Sequence, residues 1–370
     1  MSVFITLIAA LIVFSAVIAI HEFGHFAVAK LCGIQVNEFS IGMGPVLWKK
    51  YRKGTQYSLR ALPVGGFVAL EGEESPESQQ AEQARDQQDA SPEAADGAEP
   101  PVGIPLNEAP VWQRILVMAA GAFMNFVLGF AVLVLLVAAQ EGVLTSKTIY
   151  SIEENALCGQ TGLQPGDEIL AVNGRRCFVA NDILYELMRT EQYRARFTVK
   201  RGGQTVELPD VQFDTWQDAD GGVHMTLGFV VYGIRKTPAS VLKEAWNSTL
   251  YYGRIVFTSL ADLLKGRESI NNLSGPVGIV TAIGQAASYG WRDVLELLAL
   301  ITINLGIFNL LPFPALDGGK VVFLVIEGVT GHAVPEKLQG VLTVAAFGLL
   351  FGLMLFATYN DIIRLVTGAM

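Results

Sequence analysis

The sequence predicts an α-helical polytopic membrane protein: four transmembrane helices, a short membrane-associated β-hairpin loop and an inserted α+β domain. Three observations lead there. Across 370 residues, charged side chains make up 16% and apolar ones 51%, where a soluble domain carries about 25% charge. Four stretches carry no charge, Met1–Ile20, Ile115–Ala139, Leu297–Leu316 and Leu338–Asn360, and each can cross a hydrocarbon core of ~30 Å at ~1.5 Å per helical residue. Between the second and third, Glu141 to Arg292 offers room for a folded domain. This composition excludes a nucleic-acid binder, a coiled coil and a chain disordered throughout.

The formal net charge of -9 is local: between Glu71 and Pro100 stand seven Glu and three Asp against Arg85 alone, and the rest of the chain sums to zero. The acidity therefore describes one segment. Three cysteines, Cys32, Cys158 and Cys177, are too few for a disulfide framework or a cysteine-rich metal site.

The first run lacks a basic n-region and a small-residue cleavage site, so it reads as a crossing helix and not as a cleaved leader. Its domain is 1–32. Lys30, Lys49, Lys50, Arg52, Lys53, Arg60 and Arg114 all lie between the first and second runs, which places that loop in the cytoplasm and both termini outside. Residues 33–71 combine the turn cluster Gly42-Met43-Gly44-Pro45 with two short strands around a bend, Tyr57 to Glu71. Residues 72–110 read as an acidic disordered linker, with a solvated acidic helix over Ser78–Asp89 as the alternative. The second helix occupies 112–140.

The extracytoplasmic part, 143–236, contains Gly162-Leu163-Gln164-Pro165-Gly166-Asp167-Glu168-Ile169-Leu170-Ala171-Val172-Asn173-Gly174, a Pro-Gly turn, an alternating strand and an Asn-Gly hairpin turn. A short helix at Asp182–Arg189 and a hairpin across Gly202-Gly203 follow. This order resembles one PDZ domain, which implies that an extended peptide or a new C-terminus is bound by strand addition. Residues 237–292 hold an amphipathic helix, which either lies on the membrane surface or packs on the domain, and Ser274-Gly275-Pro276-Val277-Gly278-Ile279. The third helix spans 293–319 and the fourth 336–364.

His21-Glu22-Phe23-Gly24-His25 continues the helical register of the first run. Histidines four apart share one helix face and can bind one zinc ion, while Glu22 beside them can act as general base toward water. Two histidines and a glutamate at membrane depth are costly without a purpose. A catalytic zinc needs a third protein ligand, and His224 and His332 lie far off in the chain. The third run descends toward the cytoplasm through Asn304, Asn309, Pro312, Pro314 and Asp317-Gly318-Gly319. That brings Asp317 to the depth of His21 and His25 as the third ligand, while the prolines break the helix and free carbonyls.

These residues carry a resemblance. His21 to His25, Asn309 through Gly319, the Gly42–Pro45 turn, Ser274–Ile279 and the inserted PDZ domain together resemble the bacterial site-2 protease family, in the branch of the regulator of sigma E protease but with space for one PDZ domain, not two. The resemblance implies a zinc metalloprotease of the bacterial inner membrane that cuts the transmembrane segment of a single-span membrane protein, such as an anti-sigma factor, after a first extracytoplasmic cut. It implies His21, His25 and Asp317 as zinc ligands, Glu22 as the catalytic base, and Asn309 and Pro312 as substrate-holding residues. The Tyr57–Glu71 loop would fold back toward the membrane beside the site, and Gly121 with Asn125 matches a further family pattern. The lipid bilayer is an implied partner; nucleic acid is not. A zinc transporter and a membrane-anchored PDZ scaffold are the rival readings from other classes.

Overall fold

The computed structural model describes residues 3–73, 102–190, 192–219 and 221–367. The acidic core of the expected linker, 74–101, lies outside the described residues. In chain order, helix α1 (Val3–Leu31) leads to strands β1 (Val36–Arg52) and β2 (Thr55–Leu70) and then to helix α2 (Val111–Ala139). Next come β3 (Leu144–Ile152), the short α3 (Leu157–Gln160), β4 (Glu168–Val172), β5 (Arg175–Arg176) and α4 (Ala180–Met188). Strands β6 (Arg194–Arg201), β7 (Gln204–Gln212), β8 (Asp214–Gln217), β9 (Val223–Thr226) and β10 (Phe229–Ile234) precede the long helix α5 (Pro238–Leu264). Helices α6 (Pro276–Tyr289), α7 (Trp291–Asn309), α8 (Asp317–Thr330) and α9 (Glu336–Thr367) complete the described chain. It divides into one unit of residues 1–132 with 256–370 and another of residues 133–255.

Three helices, α1, α2 and α9, are long and apolar enough to cross a membrane. The expected third run, Leu297–Leu316, is not one helix. Helix α7 begins earlier, takes in Arg292, Asp293 and Glu296, and stops at Asn309. Pro312 and Pro314 have no N–H to continue the ladder, so the chain turns through residues 310–316 and a new helix starts at Asp317. Gly318 and Gly319 make the turn possible: a Cβ on Gly318 would meet Leu311 O at 2.3 Å and one on Gly319 would meet Phe313 O at 2.3 Å.

In the first unit α1 packs against β2, α6 and α7. Its buried positions, Ala10, Val13, Val17, His21, Gly24, His25 and Ala29, recur at helical spacing and form one stripe. Strands β1 and β2 are each folded on themselves. Phe39 pairs with both Tyr57 and Val68, and Ile41 with both Leu59 and Gly66, so four segments make one small antiparallel sheet. The folds fall at Gly42, Gly44 and Gly65, with φ of 87, 83 and 86°, a region that other residues enter only at a cost. This is the physical content of the Gly42–Pro45 cluster. The Ser274–Ile279 segment is explained by α9: Asp361 is fully buried there, and its carboxylate accepts from the Gly278 N–H at 2.7 Å and from Arg364 Nη2 at 3.1 Å. A Cβ at Gly275 or Gly278 would meet Asp361 oxygens at 2.8 Å.

The second unit holds an antiparallel sheet in the order β10-β3-β4-β6-β7, with β5 paired to β4 and a separate β8-β9 hairpin. Its core gathers Ile149, Leu163, Ile169, Phe197, Val199 and Val211 under α4. Asn173 and Gly174 take φ of 51 and 77°, the two left-handed positions of the hairpin turn that Asn-Gly favours. Asp167, in the Pro-Gly-Asp turn, is fully buried and held by Arg201 through two bonds of 2.7 and 2.8 Å. Arg254 of α5 donates to Asp182 and to Arg176 O, so α5 packs on α4. This observation favours the second of the two readings of the amphipathic helix.

Cys158 and Cys177 are separate, buried thiols. Burial pushes the Cys177 thiol up to about 12, and the Asp182 carboxylate adds to the shift. Above about pH 9 the unfolded chain therefore loses this proton while the folded one keeps it, and stability falls as pH rises toward 12. Iodoacetamide at pH 8 is expected to label Cys32 alone in the folded full chain and all three cysteines after denaturation, read by peptide mass.

Candidate metal centre

Helix α1 delivers two side chains to one point. His21 and His25 are 9% and 8% exposed, and their Nε2 atoms lie 3.2 Å apart. Asp317, the first residue of α8, brings its Oδ2 to 3.2 Å from His21 Nε2 and 3.5 Å from His25 Nε2. These three are a group whose ligand atoms all lie within 4.8 Å of one another.

The residues fit a zinc ion. Ligands at ~2.0–2.2 Å on the corners of a tetrahedron stand ~3.3–3.6 Å apart, close to the 3.2, 3.2 and 3.5 Å edges of the triangle. Asp317 Oδ2 is buried and accepts no hydrogen bond; an orphaned anionic oxygen facing two imidazole nitrogens is the donor set of a cation site. Three protein ligands leave a fourth position for water or substrate.

The surroundings orient the rings. His25 Nδ1 lies 2.8 Å from Val117 O in α2, an acceptor only, so Nδ1 carries the proton and Nε2 keeps its lone pair toward Asp317. His21 Nδ1 is met by two side-chain amides, Asn125 at 3.3 Å and Asn309 at 3.4 Å. Asn125 is in turn tied to α7, because Thr302 Oγ1 donates to its carbonyl at 3.2 Å. Close helix approach is permitted by glycine: a Cβ on Gly24 would lie 2.4 Å from Ala120 O, and one on Gly121 would lie 2.3 Å from His25 Nε2.

Glu22 adjoins the triangle and is half-buried. A Cβ on Gly66 of β2 would come within 3.9 Å of Glu22 Cγ, so the Gly66–Leu70 segment runs beside this carboxylate as a sheet edge. Asn309 is thus at the centre, touching His21, while Pro312 lies exposed in the turn between Asn309 and Asp317. His224 and His332 are elsewhere: the first pairs with Asp218 at 2.7 Å and the second contacts Thr330 O. Sequence reasoning missed Thr302 and the Val117 carbonyl. Neither carries a signal, since a threonine and a backbone oxygen in apolar helices look like packing.

The model of peptidase family M50 matches residues 9–353. The regulator of sigma-W protease RasP of Bacillus subtilis is 30% identical over 420 residues, covering 97% of this chain and 99% of its own length. A zinc metalloprotease RasP of Shouchella clausii is 30% identical with the same coverage. A protein named probable protease eep of Enterococcus faecalis is 32% identical over 97% of this chain and 99% of its own. With the match running across nearly the whole chain, the chain belongs to peptidase family M50, the site-2 proteases, and is a metalloprotease.

Proposed function

We propose that the chain hydrolyses a peptide bond within the transmembrane segment of a single-span membrane protein, of the anti-sigma factor type, after a first extracytoplasmic cut. Its metal is zinc, the ion in the names of its relatives. The observation that carries the reading is the triangle of His21 Nε2, His25 Nε2 and the orphaned Asp317 Oδ2 on a helix apolar enough to cross a bilayer. The enzyme sits in the bacterial inner membrane. Helix α7 is the fourth crossing in this reading, both termini face outside, and the 143–236 region is an extracytoplasmic PDZ domain that takes a peptide or a new C-terminus.

His21, His25 and Asp317 hold the metal. Bound there, zinc would supply Lewis-acid polarisation of a carbonyl and would lower the pKa of water to about 7. Glu22 accepts the proton of the attacking water and returns it to the leaving nitrogen. A helical substrate hides its carbonyls in its own ladder, so it must be held extended. The Gly66–Leu70 edge offers backbone groups for strand addition, and Asn309 and the Pro312 turn hold the unwound segment.

The test is cleavage of a pre-trimmed single-span substrate by the purified full chain in detergent. Chelation is expected to abolish product, zinc to restore it, and product masses to place the cut within the apolar segment. Cleavage that survives metal removal, or a cut confined to the polar flanks, would overturn the reading.

A further inference from the structure

The β1–β2 sheet runs along the last turns of α1. At one end its turn, Lys53-Gly54, is fastened to the end of the helix: Lys30 Nζ donates to Lys53 O at 3.4 Å, and Gln35 Nε2 donates to Gly54 O at 2.6 Å. At the other end Gly66 lies beside Glu22. Lys30 and Glu22 are separated by eight residues, about 12 Å of helix. The turn stands at the end of α1, a helix long and apolar enough to cross a membrane, where Lys30, Lys49, Lys50, Arg52 and Lys53 cluster as cations do at a headgroup level, and the rest of the sheet runs back along the helix toward Glu22.

A cavity of about 670 Å³ opens on this sheet. Its lining changes character along the strands. The register pairs Arg52 with Thr55 next to the turn, then Lys50 with Tyr57, then Trp48 with Leu59, and Leu59 again with Ile41. Three cations therefore stand at the turn end, Lys50, Arg52 and Lys53, and aromatic and aliphatic side chains line the deeper end. All three cations are exposed, and among the described residues none forms an ion pair. The carboxylate nearest in the sheet, Glu38, is committed to Arg60 at 2.7 Å and Ser58 at 2.5 Å. Trp48 is 54% exposed.

We infer that this cavity binds the headgroup of an anionic phospholipid, with its phosphate on Lys50, Arg52 and Lys53 and its upper acyl chain along Trp48 and Leu59. Cations at the headgroup level above an apolar wall match an amphiphile with one negative end. A free anion would leave Trp48, Leu59 and Ile41 uncovered, and an apolar peptide would leave three cations without partners. The cation end of the site lies about 12 Å along the helix from Glu22, while Ile41 at its deep end pairs with Gly66 beside that carboxylate; the inference rests on the lining and not on the hydrolytic reading.

The experiment is native mass spectrometry of the full chain in detergent, titrated with phosphatidylglycerol and, separately, with phosphatidylcholine of the same acyl chains. The wild type is compared with K50Q/R52Q/K53Q and with K265Q/R267Q, an exposed basic pair outside the cavity. A cation at a membrane surface contributes about fivefold in affinity for anionic lipid, so the triple variant is expected to lose about a hundredfold for phosphatidylglycerol and the control pair nothing. W48A should weaken both lipids, which keeps the inference testable if the triple variant does not fold. Equal phosphatidylglycerol binding by wild type and triple variant, or equal binding of the two lipids by the wild type, would overturn it. Displacement by glycerophosphate at concentrations equal to the lipid would do so too, assigning the site to a free phosphate, and displacement by an acidic peptide at lower concentration would assign it to protein.

Discussion

Replacing Glu22 by Gln is expected to lower cleavage by about a thousandfold or more while leaving one zinc per chain, because proton transfer by a positioned base contributes about 10²–10⁴. The substitution keeps the shape of the side chain and removes only the basicity. Glu22 follows His21 directly and so stands about 100° round the helix from it, outside the triangle of His21, His25 and Asp317 that could hold a metal ion. Metal content should therefore be insensitive to it. Its neighbour across the gap is the Gly66 backbone, where a substrate strand would lie. The measurement is single-turnover cleavage alongside metal analysis of the same preparation. A variant within tenfold of wild type would remove Glu22 from the proton path, whereas loss of zinc would make it a ligand. Asp317→Asn should behave in the opposite way, losing metal first, since it takes away the anionic oxygen that neutralises the cation.

What was legible in the sequence follows from how locally each feature is determined. His21 and His25 meet because four residues are about one helical turn, and no tertiary information is needed for that. Asp317 was placed by depth, from the expected alternation of crossings, and the structure brings its Oδ2 to 3.2 Å from His21 Nε2. The Asn173-Gly174 hairpin was legible because its turn demands left-handed backbone at both positions. Other features depend on which side of a helix faces which neighbour. Helix α1 is apolar nearly all round, so periodicity does not mark the stripe that packs, and the contact of His25 with Val117 O leaves no trace in composition. The break between Asn309 and Asp317 was signalled by two prolines. That the chain starts a fresh helix at Asp317, and so presents this carboxylate from a helix N-terminus, was not. The doubling of β1 and β2 into four segments was visible only as a scatter of glycines.

Gly121→Ala is expected to be as damaging as the loss of a ligand, although it adds one methyl group and changes no charge. A Cβ at this position would sit 2.3 Å from His25 Nε2, the nitrogen proposed to hold the metal, and 2.6 Å from His21 Cε1. Neither ring can yield cheaply: His25 is fixed through Nδ1 to Val117 O, and His21 is flanked by Asn125 and Asn309. The helices are closely packed here, since a Cβ on Gly24 of α1 would lie 2.4 Å from Ala120 O of α2, so moving α2 away from the histidines gives up that packing. Glycine inside a helix costs about 1 kcal/mol relative to alanine, so Ala would stabilise α2 if space allowed. The sign of the result thus discriminates between a packing glycine of no consequence and one that shapes the metal centre. Misplacing orienting contacts costs about 10–100-fold in metal affinity, and direct overlap with a ligand nitrogen should exceed the upper figure. Zinc affinity, measured by competition with a chromophoric chelator on the full chain, is the readout, with Gly340→Ala as the control, since a Cβ there meets nothing within 4 Å. Wild-type zinc affinity in the Gly121 variant would show that α2 can move away from the histidines, and would sink the claim that this backbone contact holds them in place.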